Sequence, residues 1–169
     1  MNLPITKPIL TNVFLEKVKP SKLILDFSKN LFSGLIFITN DTPFGFEESY
    51  IIFDKGKIIG CIYLFDIYDI KKYGSQAFDY CLNCLGSKDG IIDIYELSED
   101  QIKLILLFNE KIKFIKTINK KNSKKKHFFL NNLNYDLSKV KLLLKDQIIK
   151  QDSQKKLLDE RGLDDLLNI

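Results

Sequence analysis

From Pro20 onward the chain alternates short apolar runs with polar breaks, and the repeat within those runs switches between helical and extended spacing. Pro20-Ser21 opens a segment in which Leu23, Ile24 and Phe27 fall on one helix face, and Asn30 ends the pattern. Gly34 to Thr39 is almost wholly apolar and predicts a strand covered on both faces of its sheet. A turn-rich segment, Asn40 to Gly45, follows within a loop that reaches Glu48, and the next strand is Ser49 to Phe53. Asp54-Lys55-Gly56-Lys57 predicts a tight hairpin, because Gly tolerates positive φ and Asp bonds nearby backbone, and Ile58 to Phe65 is the returning strand.

Further on, Gly74-Ser75 precedes a helix whose Ala77, Phe78, Cys81, Leu82 and Leu85 share a face, with Gly86 placed to end it. Gly90 to Leu97 reads as a strand. Ser98-Glu99-Asp100-Gln101 has the form of a capping box and predicts a helix from Glu99 to about Asn109, with Ile102, Ile105 and Leu106 as its buried stripe. Ile112, Phe114 and Ile118 suggest one more strand. Ser138 to about Glu160 predicts a helix with Val140, Leu143 and Leu144 clustered early and a polar interval from Lys150 to Lys156. The pattern implies an α/β chain of the α+β type: an antiparallel-rich sheet with a central hairpin flanked by helices, plus a helical C-terminal tail. The expected organisation is an α/β binding module over residues 1–118, a lysine-rich linker over 119–126 and a helical tail over 127–169.

Composition narrows the partners. A chain of 169 residues with 45% hydrophobic content buries one substantial core and leaves room for an appendage. The net charge of +4 is carried by lysine, since Arg161 is the sole arginine, and bidentate recognition of phosphate has almost no raw material. Lys120, Lys121, Lys124, Lys125 and Lys126 form a block read first as a solvated linker. Taken as an anion-binding set beside Phe128 and Phe129, the same block supports an alternative function, a nucleic-acid-associated protein. Cys61, Cys81 and Cys84 lack the number and spacing of a secreted disulfide framework, which favours a cytoplasmic location. The longest apolar run, Ile58 to Phe65, is far short of the roughly 20 residues that span a bilayer, and neither a membrane span nor a signal peptide is expected.

Candidate chemistry is sparse. Cys81 and Cys84 have CxxC spacing but sit mid-helix on or beside the apolar face, which makes them core cysteines. His127 is the single histidine, Gly86 to Gly90 is a plain turn, and Glu47 and Glu48 are adjacent loop carboxylates satisfied by solvent. No catalytic, cofactor-binding or metal-ligating residue is assigned, so the chain is not expected to be an enzyme. Phe44 and Phe46, flanking Gly45, are candidate anchors for a protein partner. Leu163, Leu166 and Leu167, spaced i, i+3, i+4, are a second candidate docking patch.

The order helix, strand, strand, Asp-Lys-Gly turn, strand, helix, strand, helix resembles the PATAN-like (DUF4388-type) domains of prokaryotic signalling proteins. The resemblance rests on Gly34-Leu35-Ile36, on Ile52-Phe53-Asp54-Lys55-Gly56-Lys57-Ile58-Ile59 and on Gly74-Ser75-Gln76-Ala77-Phe78, and spans roughly residues 20–110. A roadblock-like signalling fold is the competing topology. The whole chain also resembles an uncharacterised archaeal family that opens on a stretch like Leu3-Pro4-Ile5-Thr6-Lys7-Pro8. The first resemblance implies a non-catalytic protein–protein interaction or adaptor module in a regulatory pathway, beside small GTPase or response-regulator systems, with self-association as a further mode.

Overall fold

In the computed structural model, residues 8–113 and 135–160 are described. At the Asp54–Lys57 turn, Lys55 and Gly56 both take positive φ, 48° and 75°. That pair of angles matches the right-handed twist of the strands it joins, β3 (Gly45–Asp54) and β4 (Lys57–Phe65). The Gly56 amide also donates to the Phe32 carbonyl at 2.8 Å, which ties the turn to the end of α1 (Pro20–Lys29). Helix α1 begins on its own proline, where the absent N–H costs nothing.

Strand β2 (Gly34–Thr42) pairs with β3 in continuous register from Gly34↔Phe53 to Thr42↔Gly45. The expected loop from Asn40 to Glu48 is therefore a two-residue link, Pro43-Phe44, between two long strands. The Thr42 hydroxyl holds that link: it accepts from the Phe44 amide at 3.2 Å and donates to the Gly45 carbonyl at 2.7 Å. The expected strands, Gly34 to Thr39 and Ser49 to Phe53, stop short of this extension because its inward positions include the polar Asn40 and Glu47.

Strands β1 (Pro8–Phe14) and β5 (Ile70–Tyr73) lie at the two edges of the sheet and complete it with β6 (Gly90–Glu96). The strand order is β1-β6-β2-β3-β4-β5, with every pairing antiparallel. Neither edge strand carries a strong extended pattern: β5 is four residues with two lysines, and β1 is broken by register shifts with Asn12 at φ 54°. Such features blunt a free edge against further pairing. The expected strand at Ile112 is instead a 3₁₀ turn, Glu110–Ile112, since Asn109 leaves the helix and Ile112 drops into the core. Lys113 makes one bridge to Gly60, and Phe114 and Ile118 lie outside the described residues.

The two sheet faces differ. One face lies under α2 (Ser75–Leu85), which crosses β2 to β5, and its residues Ile36, Ile38, Ile51, Cys61, Tyr63 and Phe65 are buried along the strands. The opposite face is covered at one end by α3 (Glu99–Phe108) and the 3₁₀ turn. There Ile102, Ile105 and Ile112 pack with Leu35, Ile52 and Ile62. The capping box at Ser98 forms as expected: the Gln101 amide donates to the Ser98 hydroxyl at 3.2 Å, and the Ser98 amide donates to the Gln101 side chain at 2.9 Å. Beyond α3 nothing else closes this face toward the Pro43-Phe44 end among the described residues.

The chain divides into two compact units, 1–135 and 136–169. The second contains α4 (Leu137–Glu160), where the Asp136 carboxylate accepts from the Ser138 amide at 3.0 Å and from its hydroxyl; those bonds hold Asp136 below the usual carboxylate range. Val140, Leu143 and Leu144 are buried. No helix among the described residues is long and apolar enough to cross a membrane.

Candidate functional site

Two sites stand out, one on each face of the sheet at the Pro43-Phe44 end. Under α2, the side chain of Glu47 is 0% exposed. Strand alternation sends Glu47 inward and Glu48 outward, so the two neighbouring carboxylates meet opposite environments. The expectation that solvent satisfies both fails at Glu47. Its Oε1 accepts from the Tyr63 hydroxyl at 2.6 Å, and its Oε2 accepts from the Tyr135 hydroxyl at 3.0 Å and from the Cys84 thiol at 3.7 Å. Tyr135 is fixed there by its own amide, which donates to the Gly86 carbonyl at 3.1 Å.

Burial, and then the adjacent Glu47 carboxylate, push the hydroxyls of Tyr63 and Tyr135 and the thiol of Cys84 well above their ordinary pKa values. The donors stay protonated and the acceptor keeps its partners. Cys81 is likewise raised, by burial and then by neighbouring Cys61, and its thiol donates to the Ile62 carbonyl at 3.1 Å. Cys81 and Cys84 are buried, as the core reading expected, and Cys61 is buried with them. A thiol held protonated is a poor nucleophile, so this interior network organises the fold under α2 rather than presenting reactive groups.

The second site is the open half of the other face. Three rows of side chains cross the strands there, fixed by register: Asp93, Phe37, Tyr50 and Ile62; then Ile91, Thr39, Glu48 and Leu64; then Asp41 and Phe46. Phe37 and Tyr50 stack with ring centroids 4.7 Å apart. Phe46 is 61% exposed. The Tyr50 hydroxyl donates to Glu48 at 3.0 Å, and burial followed by the Glu48 and Asp66 charges raises its pKa. Asp93 is similarly engaged, by the Tyr95 hydroxyl at 3.4 Å and the Asn12 amide at 2.7 Å. Lys71 is the cation nearest in register, opposite Leu64, and its ammonium is bound to Asp69 at 2.7 Å.

Of the anchors named from sequence, Phe46 stands on this open face, while Phe44 sits half-buried in the turn. Lys120, Lys121, Lys124, Lys125, Lys126, Leu163, Leu166 and Leu167 lie outside the described residues. Sequence reading missed Phe37, Tyr50, Asp41, Glu48 and Asp66. The alternation Phe46-Glu48-Tyr50-Ile52 was the available signal, and it was hidden by treating residues 40–48 as a loop. A separate apolar stripe runs along the outside of α3, where Leu104 and Leu107 are exposed and Phe108 is 78% exposed.

An antiparallel six-stranded sheet with one face sealed by a helix and the other half open defines an α+β domain. The chain belongs to a family described as an uncharacterised protein conserved in archaea (DUF2226), which matches residues 1–109, the stretch from before β1 through α3. No curated protein and no solved structure matches the chain.

Proposed function

We propose that the chain is a cytoplasmic, non-catalytic adaptor that binds a protein partner on the open sheet face between Phe46 and Tyr50. The observation that carries this reading is the exposure of Phe46 on the same sheet face as the stacked Phe37–Tyr50 pair. Aromatic side chains at the centre of a flat surface are the usual energetic anchors of protein interfaces. Large apolar groups left in water on a soluble domain mark such surfaces. The resemblance to PATAN-like signalling domains over roughly residues 20–110 supports a regulatory role, beside a small GTPase or response-regulator system. A nucleic-acid reading gains nothing from this face, where carboxylates would repel phosphate.

The test places a photo-crosslinking residue at position 46 of the full chain in native lysate, with nuclease treatment, and identifies the captured protein by mass spectrometry. The partner is then purified and its affinity measured against wild type and Phe46→Ser. The reading expects at least a tenfold loss of affinity with unchanged thermal unfolding, in the range of interface anchors. Equal binding by the variant, or capture that vanishes with nuclease, overturns it.

A further inference from the structure

The charge on the open face specifies the partner further. Resting on the reading of that face as a protein-binding surface, we infer that its ligand is a polypeptide segment carrying Lys or Arg around one apolar anchor. Asp41 is paired directly with Phe46 across β2 and β3, Glu48 follows Phe46 on the same face, and Asp66, in the 3₁₀ turn after β4, lies close enough for its charge to act on Tyr50. Three acids thus lie near the aromatic centre: Asp41 beside Phe46, and Glu48 and Asp66 within reach of Tyr50. Asp41 and Asp66 are exposed, and one oxygen of Glu48 is engaged by Tyr50.

Among the described residues, Lys71, the lysine that register places opposite Leu64 on this face, is paired with Asp69. An acidic rim around aromatic rings selects side chains that combine a cation with an apolar stem. Lysine and arginine stems lie along ring faces while their heads reach carboxylates. Arginine adds a planar fork suited to Glu48 and Asp41. Rows about 7 Å apart along each strand and strands about 4.8 Å apart give a patch long enough for two turns of helix or a short extended stretch. Electrostatic complementarity of this kind sets partner choice and on-rate more than total affinity.

The test measures fluorescence anisotropy of labelled synthetic peptides against the full chain. The peptides share one Phe or Leu anchor and carry Lys/Arg, Ser/Gln or Asp/Glu at the flanking positions; a single-stranded DNA oligomer is included as a further probe. Basic peptides bind at least about tenfold more tightly than neutral ones, and the difference shrinks as salt rises. Asp41→Asn with Asp66→Asn, both exposed and making no contact the fold needs, lowers basic-peptide affinity about tenfold while leaving the melting curve in place; adding Glu48→Gln extends the loss. Equal binding of neutral or acidic peptides, or indifference to the neutralised variants, overturns the inference. So does binding of the DNA oligomer that Phe46→Ser abolishes.

Its failure is separable from failure of the adaptor reading. A partner crosslinked to position 46 through a neutral or acidic segment sinks only the inference. Absence of both peptide binding and a Phe46-dependent protein partner sinks both.

Discussion

Glu47→Ala removes the acceptor of two tyrosine hydroxyls and a thiol from a site with no solvent contact. An unmatched buried hydroxyl costs about 1–3 kcal/mol. Tyr63 is 1% exposed and takes the full penalty, whereas half-buried Tyr135 turns partly to water and takes the lower end. The deleted carboxylate leaves a small void that adds about 1 kcal/mol. The total, about 3–5 kcal/mol, corresponds to a fall of roughly 10–15 °C in the unfolding midpoint. The decisive comparison is Tyr63→Phe made in wild type and in Glu47→Leu, with stability read by urea unfolding near neutral pH. In wild type the change removes a short hydrogen bond to a carboxylate and costs about 1.5–3 kcal/mol. In Glu47→Leu the hydroxyl has already lost its acceptor, and its removal is neutral or stabilising. Equal costs in the two backgrounds, with a coupling below about 0.5 kcal/mol, would refute the assignment of Glu47 as the acceptor that holds α2 and Tyr135 to the sheet.

Alkaline pH weakens the domain: the folded pKa of Tyr63 is raised above its unfolded value near 10, so its contribution is complete below about pH 10 and is lost as pH rises toward the folded value, at about 1.4 kcal/mol per pH unit. Urea midpoints at about pH 9 and pH 11 should differ more in wild type than in Tyr63→Phe. Gly34→Ala places a Cβ 2.2 Å from the Phe32 ring and 2.3 Å from the Tyr95 carbonyl, and should cost about 1–3 kcal/mol, measured by thermal unfolding followed by circular dichroism. Ser98→Ala removes the cap of α3 and should cost about 1 kcal/mol in the same assay, whereas Ser98→Asp retains most of it.

Elements with strong periodicity or explicit punctuation were legible in the chain: α1 from Pro20, the Lys55-Gly56 turn, α2 up to Gly86 and the Ser98 capping box all form where spacing and caps placed them. The failures share a cause. Period-two reading assumes that inward positions are apolar, and at the distal end of β2 and β3 they include Asn40 and Glu47, made tolerable by partners from α2, β4 and the distant Tyr135. Those partners are tertiary, so nothing local announces them, and without the strand the outward series Phe46, Glu48 and Tyr50 had no face to share. Phe46 was found for a simpler reason, as an aromatic beside a glycine. Strand β2 was read as covered on both faces, which holds at Leu35 and fails at Phe37, because α3 stops short of that row.

The Tyr135 hydroxyl reaches Glu47 across 88 positions of chain. At synthesis rates of about 5–20 residues per second, the ribosome delivers it roughly 4–18 s after Glu47. During that interval β2, β3, β4, α2 and all of the family-matched stretch have left the ribosome's catalytic centre before the last donor does. The nascent domain therefore waits with its interior carboxylate partly unsatisfied. Its seal comes from the far side of the lysine-bearing segment, and a nascent chain that stalls inside that segment leaves an assembled sheet whose central acid is one bond short.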